Sequence, residues 1–294
     1  MDDLGQIAEF APLLQEVWPD GAASSAVVEH VSHHGHAEHW RVRNGDRTCI
    51  VRLSRGAEAA ARIERALEAL SGEEFAPELY GWRALPDGSH LIAMEDIDGT
   101  PPDAGYAQAH LRAFIDVICR LHAHARFQRA VVDVGRGGGE DSSRGWAEEE
   151  WGRLQTLAPS DGRVRRAAPW LARTRSEGET SARSLMVYGH GDLHLGNWRV
   201  RPDGRLALLD WEEVRRWPLA SEVADFVVFG ELEPETIADL YEAPVTYAPA
   251  VHAEAAACAL SFYLYWLRTV IDGSGPRPND LAFAARACER LFAA

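Results

Sequence analysis

Two carboxylates and an amide stand at a spacing that suits one kind of chemistry. In the run His190-Gly191-Asp192-Leu193-His194-Leu195-Gly196-Asn197, an aspartate is followed five residues later by an asparagine. Asp210 comes thirteen residues after that, in Leu208-Leu209-Asp210-Trp211. Phosphoryl transfer asks little covalent help of a protein. It needs an attacking hydroxyl held in line and phosphate charge neutralised by metal. Magnesium takes hard oxygen ligands and keeps several of its waters, so one carboxylate and one amide suffice. The layout predicts that Asp192 accepts the hydroxyl proton while Asn197 and Asp210 hold magnesium.

Such groups must sit on tight loops between rigid elements. Leu185-Met186-Val187-Tyr188 precedes the first carboxylate, and Leu206-Ala207-Leu208-Leu209 runs directly into Asp210. Gly191 and Gly196 suit the loop between them. Upstream, residues 3–17 read as an amphipathic helix closed by Trp18-Pro19-Asp20-Gly21. Residues 27–31, 40–42 and 48–53 read as strands, with Asn44-Gly45-Asp46 as a hairpin turn. Residues 57–70 form a helix with Ile63, Leu67 and Leu70 on one face. Strands follow at 79–83 and 90–94, joined by Pro86-Asp87-Gly88.

Asp98-Gly99-Thr100-Pro101-Pro102 breaks this pattern, and the rest is mostly helical. Helices are expected at 105–127, 146–157, 162–177, 235–241, 249–271 and 280–292, with a flexible loop at 134–143. The expected architecture is α+β in two lobes: a small β-rich lobe over 1–97 with one inserted helix, and a larger, mainly helical lobe over 98–294.

His-Gly-Asp-Leu-His-Leu-Gly-Asn at 190–197 and Leu-Leu-Asp-Trp at 208–211 together resemble the signature of the aminoglycoside phosphotransferase family, the phosphotransferase enzyme family of kinase-like proteins. Choline, homoserine and methylthioribose kinases and several antibiotic kinases are members. The resemblance implies a protein-kinase-like fold, ATP or GTP as phosphoryl donor, and magnesium. It assigns Asp192 as catalytic base, Asn197 and Asp210 as metal ligands, and His190 as a structural residue of the loop. It also implies that Glu212 supports the metal shell and that Asp225, in Pro218-Leu219-Ala220-Ser221-Glu222-Val223-Ala224-Asp225, hydrogen-bonds the catalytic loop.

The nucleotide side follows from the same resemblance. The strand at 48–53 carries Arg52 where kinases place a phosphate-contacting lysine. The chain has no lysine at all, so its 30 basic residues are arginines. Arginine keeps the charge and adds a planar fork, but it is not geometrically equivalent. The helix glutamate that pairs with this base in kinases falls on Ile63, leaving Glu58, Glu64 and Glu68 as alternatives. Ser32 and Gly35, in the polar turn Ser32-His33-His34-Gly35-His36-Ala37-Glu38-His39, would cradle phosphate through backbone N–H groups. Its four histidines have neither a companion cysteine nor a helical spacing, so an ordinary polar turn is the economical reading. The Glu95 carbonyl and the Ile97 N–H would meet the adenine edge.

Composition bounds the partners. A net charge of −15 disfavours nucleic acid. It favours a cationic small-molecule hydroxyl substrate if the acids Glu140, Asp141, Glu148, Glu149, Glu150, Glu231 and Glu233 flank the cleft. Phe262-Tyr263-Leu264-Tyr265-Trp266 reads as core rather than as a ligand wall. No apolar run reaches the roughly eighteen residues of a membrane span, and Met1-Asp2-Asp3 is unlike a signal peptide. Cys49, Cys119, Cys258 and Cys288 are scattered, without zinc-type spacing. The expectation is a cytoplasmic monomer or homodimer, an antibiotic kinase first. A kinase of choline, homoserine or a sugar, or an inactive kinase-like binding protein, are the rivals.

Overall fold

Side chains alternate along a strand, and this alternation builds the first half of the molecule. The computed structural model describes residues 3–19, 26–34, 37–134, 136–137, 143–176, 186–241, 247–274 and 278–293. Contacts group the chain into two units. Unit 1 holds Met1–Pro101, Ala123–Gly135 and Asn197–Val214; unit 2 holds Pro102–His122, Arg136–Gly196 and Arg215–Ala294.

In unit 1, strands β1 (Val27–His34), β2 (Ala37–Asn44), β3 (Arg47–Ser54), β4 (Leu79–Ala84) and β5 (His90–Glu95) form an antiparallel sheet of order β1-β2-β3-β5-β4. Gly45 takes φ 60° in the β2–β3 turn, where Asn44 pairs with Arg47. A two-residue turn of this kind matches the strand twist and fixes the register. Helix α1 (Asp3–Val17) covers one face: Phe10, Leu13 and Leu14 pack with Trp40, Val42, Cys49 and Val51. Helix α2 (Ala57–Ala69) lies on the sheet too, burying Ile63, Ala66 and Leu67. The short strands Trp198–Val200 and Leu206–Leu208 pair antiparallel and complete this unit.

Unit 2 is built around the long helix Tyr247–Asp272, which packs against Ser143–Leu157, Gly162–Ser176, Leu219–Phe229, Pro234–Leu240 and Pro278–Ala293. A three-stranded sheet sets Arg215–Pro218 between Met186–Gly189 and the two-residue strand Arg136–Gly137. That last strand lies inside the segment expected to be a loop; most of the remainder, 135 and 138–142, lies outside the described residues.

One expected element divides. The helix anticipated over 105–127 is three: Ala104–Ala109, Leu111–Ala123 and Ala125–Ala130. Histidines make both breaks. His110 folds back onto its own helix, its ring stacked on Tyr106 at 4.0 Å. His124 caps the third helix by accepting the Phe127 N–H at 3.1 Å. A side chain that satisfies a free helix terminus competes with continuation of the helix.

Candidate phosphoryl-transfer site

In unit 1 the period of two decides where Arg52 points. Val51 faces α1 and the core, so Arg52 projects from the opposite face of β3. It is only 2 % exposed, and its Nη1 donates to Asp210 Oδ1 at 2.7 Å while its Nη2 donates to Glu212. The pairing left open by the sequence is thereby resolved. None of Glu58, Glu64 and Glu68 pairs with Arg52: Glu58 and Glu68 are exposed, and Ile63 is in the core. α2 contributes Arg62 instead, buried, with its Nε donating to the Glu212 carbonyl. Nothing in the sequence pattern singled out Arg62. Its signal is a charged residue next to Ile63 on the buried face of α2.

The turn that Arg52 grips is unusual. Asp210 takes φ 63°, a left-handed conformation uncommon outside glycine and tolerated by aspartate and asparagine. Its carboxylate is 37 % exposed and Glu212 is 34 % exposed, so both can reach solvent. Burial is the main cause that raises the Glu212 carboxyl above its ordinary value, with Asp210 and Glu213 adding to it and Arg52 opposing. Asn197 is buried, and its carbonyl accepts the Leu209 N–H at 2.8 Å, which fixes the distance along the chain to Asp210.

Ser32 connects to the same cluster. Arg52 Nη1 lies 3.3 Å from His39 Nε2, and His39 Nδ1 lies 3.1 Å from Ser32 Oγ. Arginine can only donate, so His39 Nε2 accepts and Nδ1 carries the proton toward Ser32. Gly35 and the side chains of His33, His34 and His36 lie outside the described residues. Farther along, Glu95 sits on the end of β5 with its carboxylate on Arg201 at 2.7 Å, and Asp96 pairs with Arg41 at 2.6 Å. Ile97 follows in irregular chain, nearly buried. Gly99 must be glycine: a Cβ would stand 2.6 Å from the Val200 carbonyl, where Thr100 and Val200 form a bridge.

In unit 2 the 190–192 loop is tied down by its backbone. Glu222, buried in the first turn of helix Leu219–Phe229, accepts the His190 N–H at 2.7 Å and the Gly191 N–H at 3.1 Å. Arg215 holds the other side by donating to the Gly191 carbonyl at 3.1 Å. Gly191 takes φ 84°, and a side chain on Gly189 would collide with the Glu222 carboxylate. His190 is fully buried beneath this loop. Asp192 remains 32 % exposed, with His194 Nε2 at 3.5 Å from Oδ2. His194 Nδ1 accepts the Gly196 N–H at 3.0 Å, so in the neutral ring it is Nε2 that carries hydrogen toward Asp192.

Asp225 does not hold the 190–197 loop, as the resemblance had implied it would. It accepts from Cys258 Sγ at 2.8 Å, while Glu222, three residues earlier on the same helix, takes the loop amides. The residue nearer the helix start is the one within reach of the incoming backbone N–H groups. Desolvation pushes the Asp225 carboxyl up to about 6, with Glu222 adding to the rise and Cys258 and Arg215 opposing it. Burial, reinforced by Asp225, pushes the Cys258 thiol well up.

Residues 28–290 match the model of the phosphotransferase enzyme family. The chain belongs to that family. The fold is kinase-like, as the sequence predicted, with a small β-rich part and a larger helical one. Choline kinase from Streptococcus pneumoniae is similar at TM-score 0.68 and 16 % identity, over 100 % of both chains. A choline/ethanolamine kinase family protein from Mesorhizobium loti gives TM-score 0.68 and 16 % identity, over 100 % of this chain and 94 % of that one. A thermostable mutant of the aminoglycoside phosphotransferase APH(4)-Ia, in ternary complex with AMP-PNP and hygromycin B, gives 0.58 and 14 %, over 96 % and 97 %. No curated protein matches the chain in sequence.

The donor set of this family member fits magnesium. Asp210 and Asn197 are hard oxygen donors, and Glu212 stands two residues away. Among the described residues no cluster of three His, Cys, Asp or Glu side chains forms a metal cage. Magnesium does not require one, because substrate phosphates and water complete its shell.

Proposed function

We propose that this phosphotransferase moves the γ-phosphoryl group of ATP to a hydroxyl of a small molecule, in the cytoplasm, with magnesium. One observation carries the reading: the backbone of the loop bearing Asp192 is anchored by a buried carboxylate, while the Asp192 carboxylate itself stays accessible. A catalytic base needs that combination of fixed position and reach. The lobe over 1–97 binds the nucleotide, with Ser32 and Gly35 at the phosphates and Glu95 and Ile97 at the adenine. The lobe over 98–294 carries the catalytic and acceptor side. Bound magnesium would neutralise the phosphate charge. Asn197 and Asp210 would hold it, supported by Glu212. Arg52 orients the Asp210 and Glu212 carboxylates and supplies positive charge beside the phosphates. Asp192 takes the hydroxyl proton, oriented by His194, and His190 packs beneath its loop.

Likeness to both a choline kinase and an aminoglycoside phosphotransferase supports the activity and favours no single acceptor. An antibiotic or a metabolic alcohol such as choline, homoserine or a sugar would each serve. A binding protein without catalysis is the rival favoured by the burial of Arg52 under two carboxylates. An ATP-consumption screen across aminoglycosides, other antibiotics and small amino alcohols separates these readings, with Asp192→Asn as control. Turnover on the acceptor should fall by about 10²–10⁴-fold in the variant while Mg–ATP affinity stays within about twofold. A variant keeping a tenth of the wild-type turnover would remove Asp192 from the chemistry.

A further inference from the structure

One guanidinium in unit 1 serves two carboxylates. Arg52 Nη1 donates to Asp210 Oδ1 at 2.7 Å, and Nη2 donates to Glu212. The pairing is closed at the arginine and open at the acids. Arg52 is 2 % exposed, whereas Asp210 and Glu212 are 37 % and 34 % exposed. The arginine is also incompletely satisfied. Its Nε is buried with no hydrogen-bond partner among the described residues. Its Nη1 lies 3.3 Å from His39 Nε2, a neutral acceptor that leads on to Ser32. The guanidinium therefore has a second partner beside it and a donor left over for another acceptor.

Asp210 and Glu212 are the carboxylates proposed to meet magnesium, so Arg52 already holds the charge that a metal ion would need. Two cations on one pair of carboxylates repel each other at short range, and partial burial leaves that repulsion poorly screened. A triphosphate reverses the balance. It brings enough negative charge for both cations, and a planar fork suits its oxygens. The backbone of the turn is secured independently of this exchange. Arg62 donates to the Glu212 carbonyl, and the Asn197 carbonyl accepts the Leu209 N–H at 2.8 Å. Changing partners thus requires movement of one side chain rather than of the turn.

We propose that Arg52 acts as an internal counter-cation that competes with bare divalent metal for Asp210 and Glu212, yet cooperates with metal carried on a nucleoside triphosphate. The site then admits the complex and turns away the free ion. The inference rests on the phosphotransferase reading for the nucleotide, and deepens it by giving Arg52 opposite signs toward the two forms of the metal. The test uses the full chain and Mn²⁺, with free Mn²⁺ followed by electron paramagnetic resonance and Mn–AMP-PNP binding followed by calorimetry. Arg52→Gln should bind bare Mn²⁺ at least about tenfold more tightly than the wild type. It should bind Mn–AMP-PNP at least about fivefold more weakly. Adding Asp210→Asn should remove the gain for bare Mn²⁺, which assigns that gain to the 210–212 turn. Arg52→Lys keeps a cation but cannot fork, so its bare-metal affinity should lie between the two. It stays informative if Arg52→Gln fails to fold. Weaker binding of both bare and complexed metal would mean that Arg52 only orients the carboxylates, and would overturn the proposal. Unchanged bare-metal affinity in both variants, or a gain that survives Asp210→Asn, would overturn it too. A wild type that binds no Mn–AMP-PNP would sink the phosphotransferase reading and the cooperative half with it. The bare-metal comparison would still decide the competing half.

Discussion

The two candidate functional segments, one in each unit, are held by opposite means. In unit 1 the 210–212 turn is held by side chains: Arg52 grips two carboxylates that are each about a third exposed, and Arg62 takes the carbonyl of the same turn. In unit 2 the 190–192 loop is held through its backbone by Glu222, whose side chain is fully buried. A half-exposed carboxylate that loses its arginine can turn to water. Buried N–H groups that lose their acceptor have nothing to turn to. The difference suits the two tasks proposed for these segments. Groups that would accept a metal and phosphates benefit from exchangeable partners, whereas a group that would accept a proton benefits from a backbone that does not move.

The contrast is broken most directly at Glu222. Glu222→Ala leaves the His190 and Gly191 N–H groups without their acceptor, and should cost about 2–5 kcal/mol of stability. Turnover should fall together with stability, because Asp192 is carried on the freed loop. Urea unfolding with parallel steady-state kinetics measures both. A loss below about half a kcal/mol, the range of a neutral surface change, would mean the loop is anchored elsewhere.

Arg52→Ala should cost less stability, about 1–3 kcal/mol, since solvent can screen the carboxylates it leaves. Its larger effect should be on Mg–ATP affinity, as Asp210 and Glu212 lose their orientation. Arg52→Lys should recover only part, because one ammonium cannot fork between two carboxylates. Calorimetric titration with Mg–ATP reads this directly. Equal affinity for the lysine variant and the wild type would show that charge matters there and the planar fork does not.

The sequence disclosed what is local and missed what is assembled from distant parts. The strand readings at 40–42 and 48–53 and the Asn44-Gly45-Asp46 turn foretold β2 and β3, whereas the face from which Arg52 projects was seen only in the structure. Motif spacing foretold the loop at 190–197, although the roles of its residues remain proposals. Glu222, Arg62 and His39 were invisible, because each acts on a residue far away in the chain. A glutamate in the first turn of a helix reads as a helix-dipole preference until the loop it receives is seen.

The smallest expected effect sharpens the contrast inside unit 2 itself, between a carboxylate that has backbone donors and one that does not. Asp225 has a thiol as donor and sits near Glu222, and its carboxyl stands at about 6 rather than the ordinary 3.8. The folded state therefore holds this proton more tightly than the unfolded chain does. By linkage, the stabilisation is fully present below the ordinary carboxyl value and is lost as pH rises through about 6. Asp225→Asn keeps an oxygen for the Cys258 thiol and removes the charge. The variant should be no more stable than the wild type near pH 4 and more stable near pH 8, by about 1–3 kcal/mol at most. Urea midpoints at the two pH values decide it. A variant destabilised equally at both would mean that the ionised Asp225 is balanced by Arg215, and that its burial imposes no net cost at neutral pH.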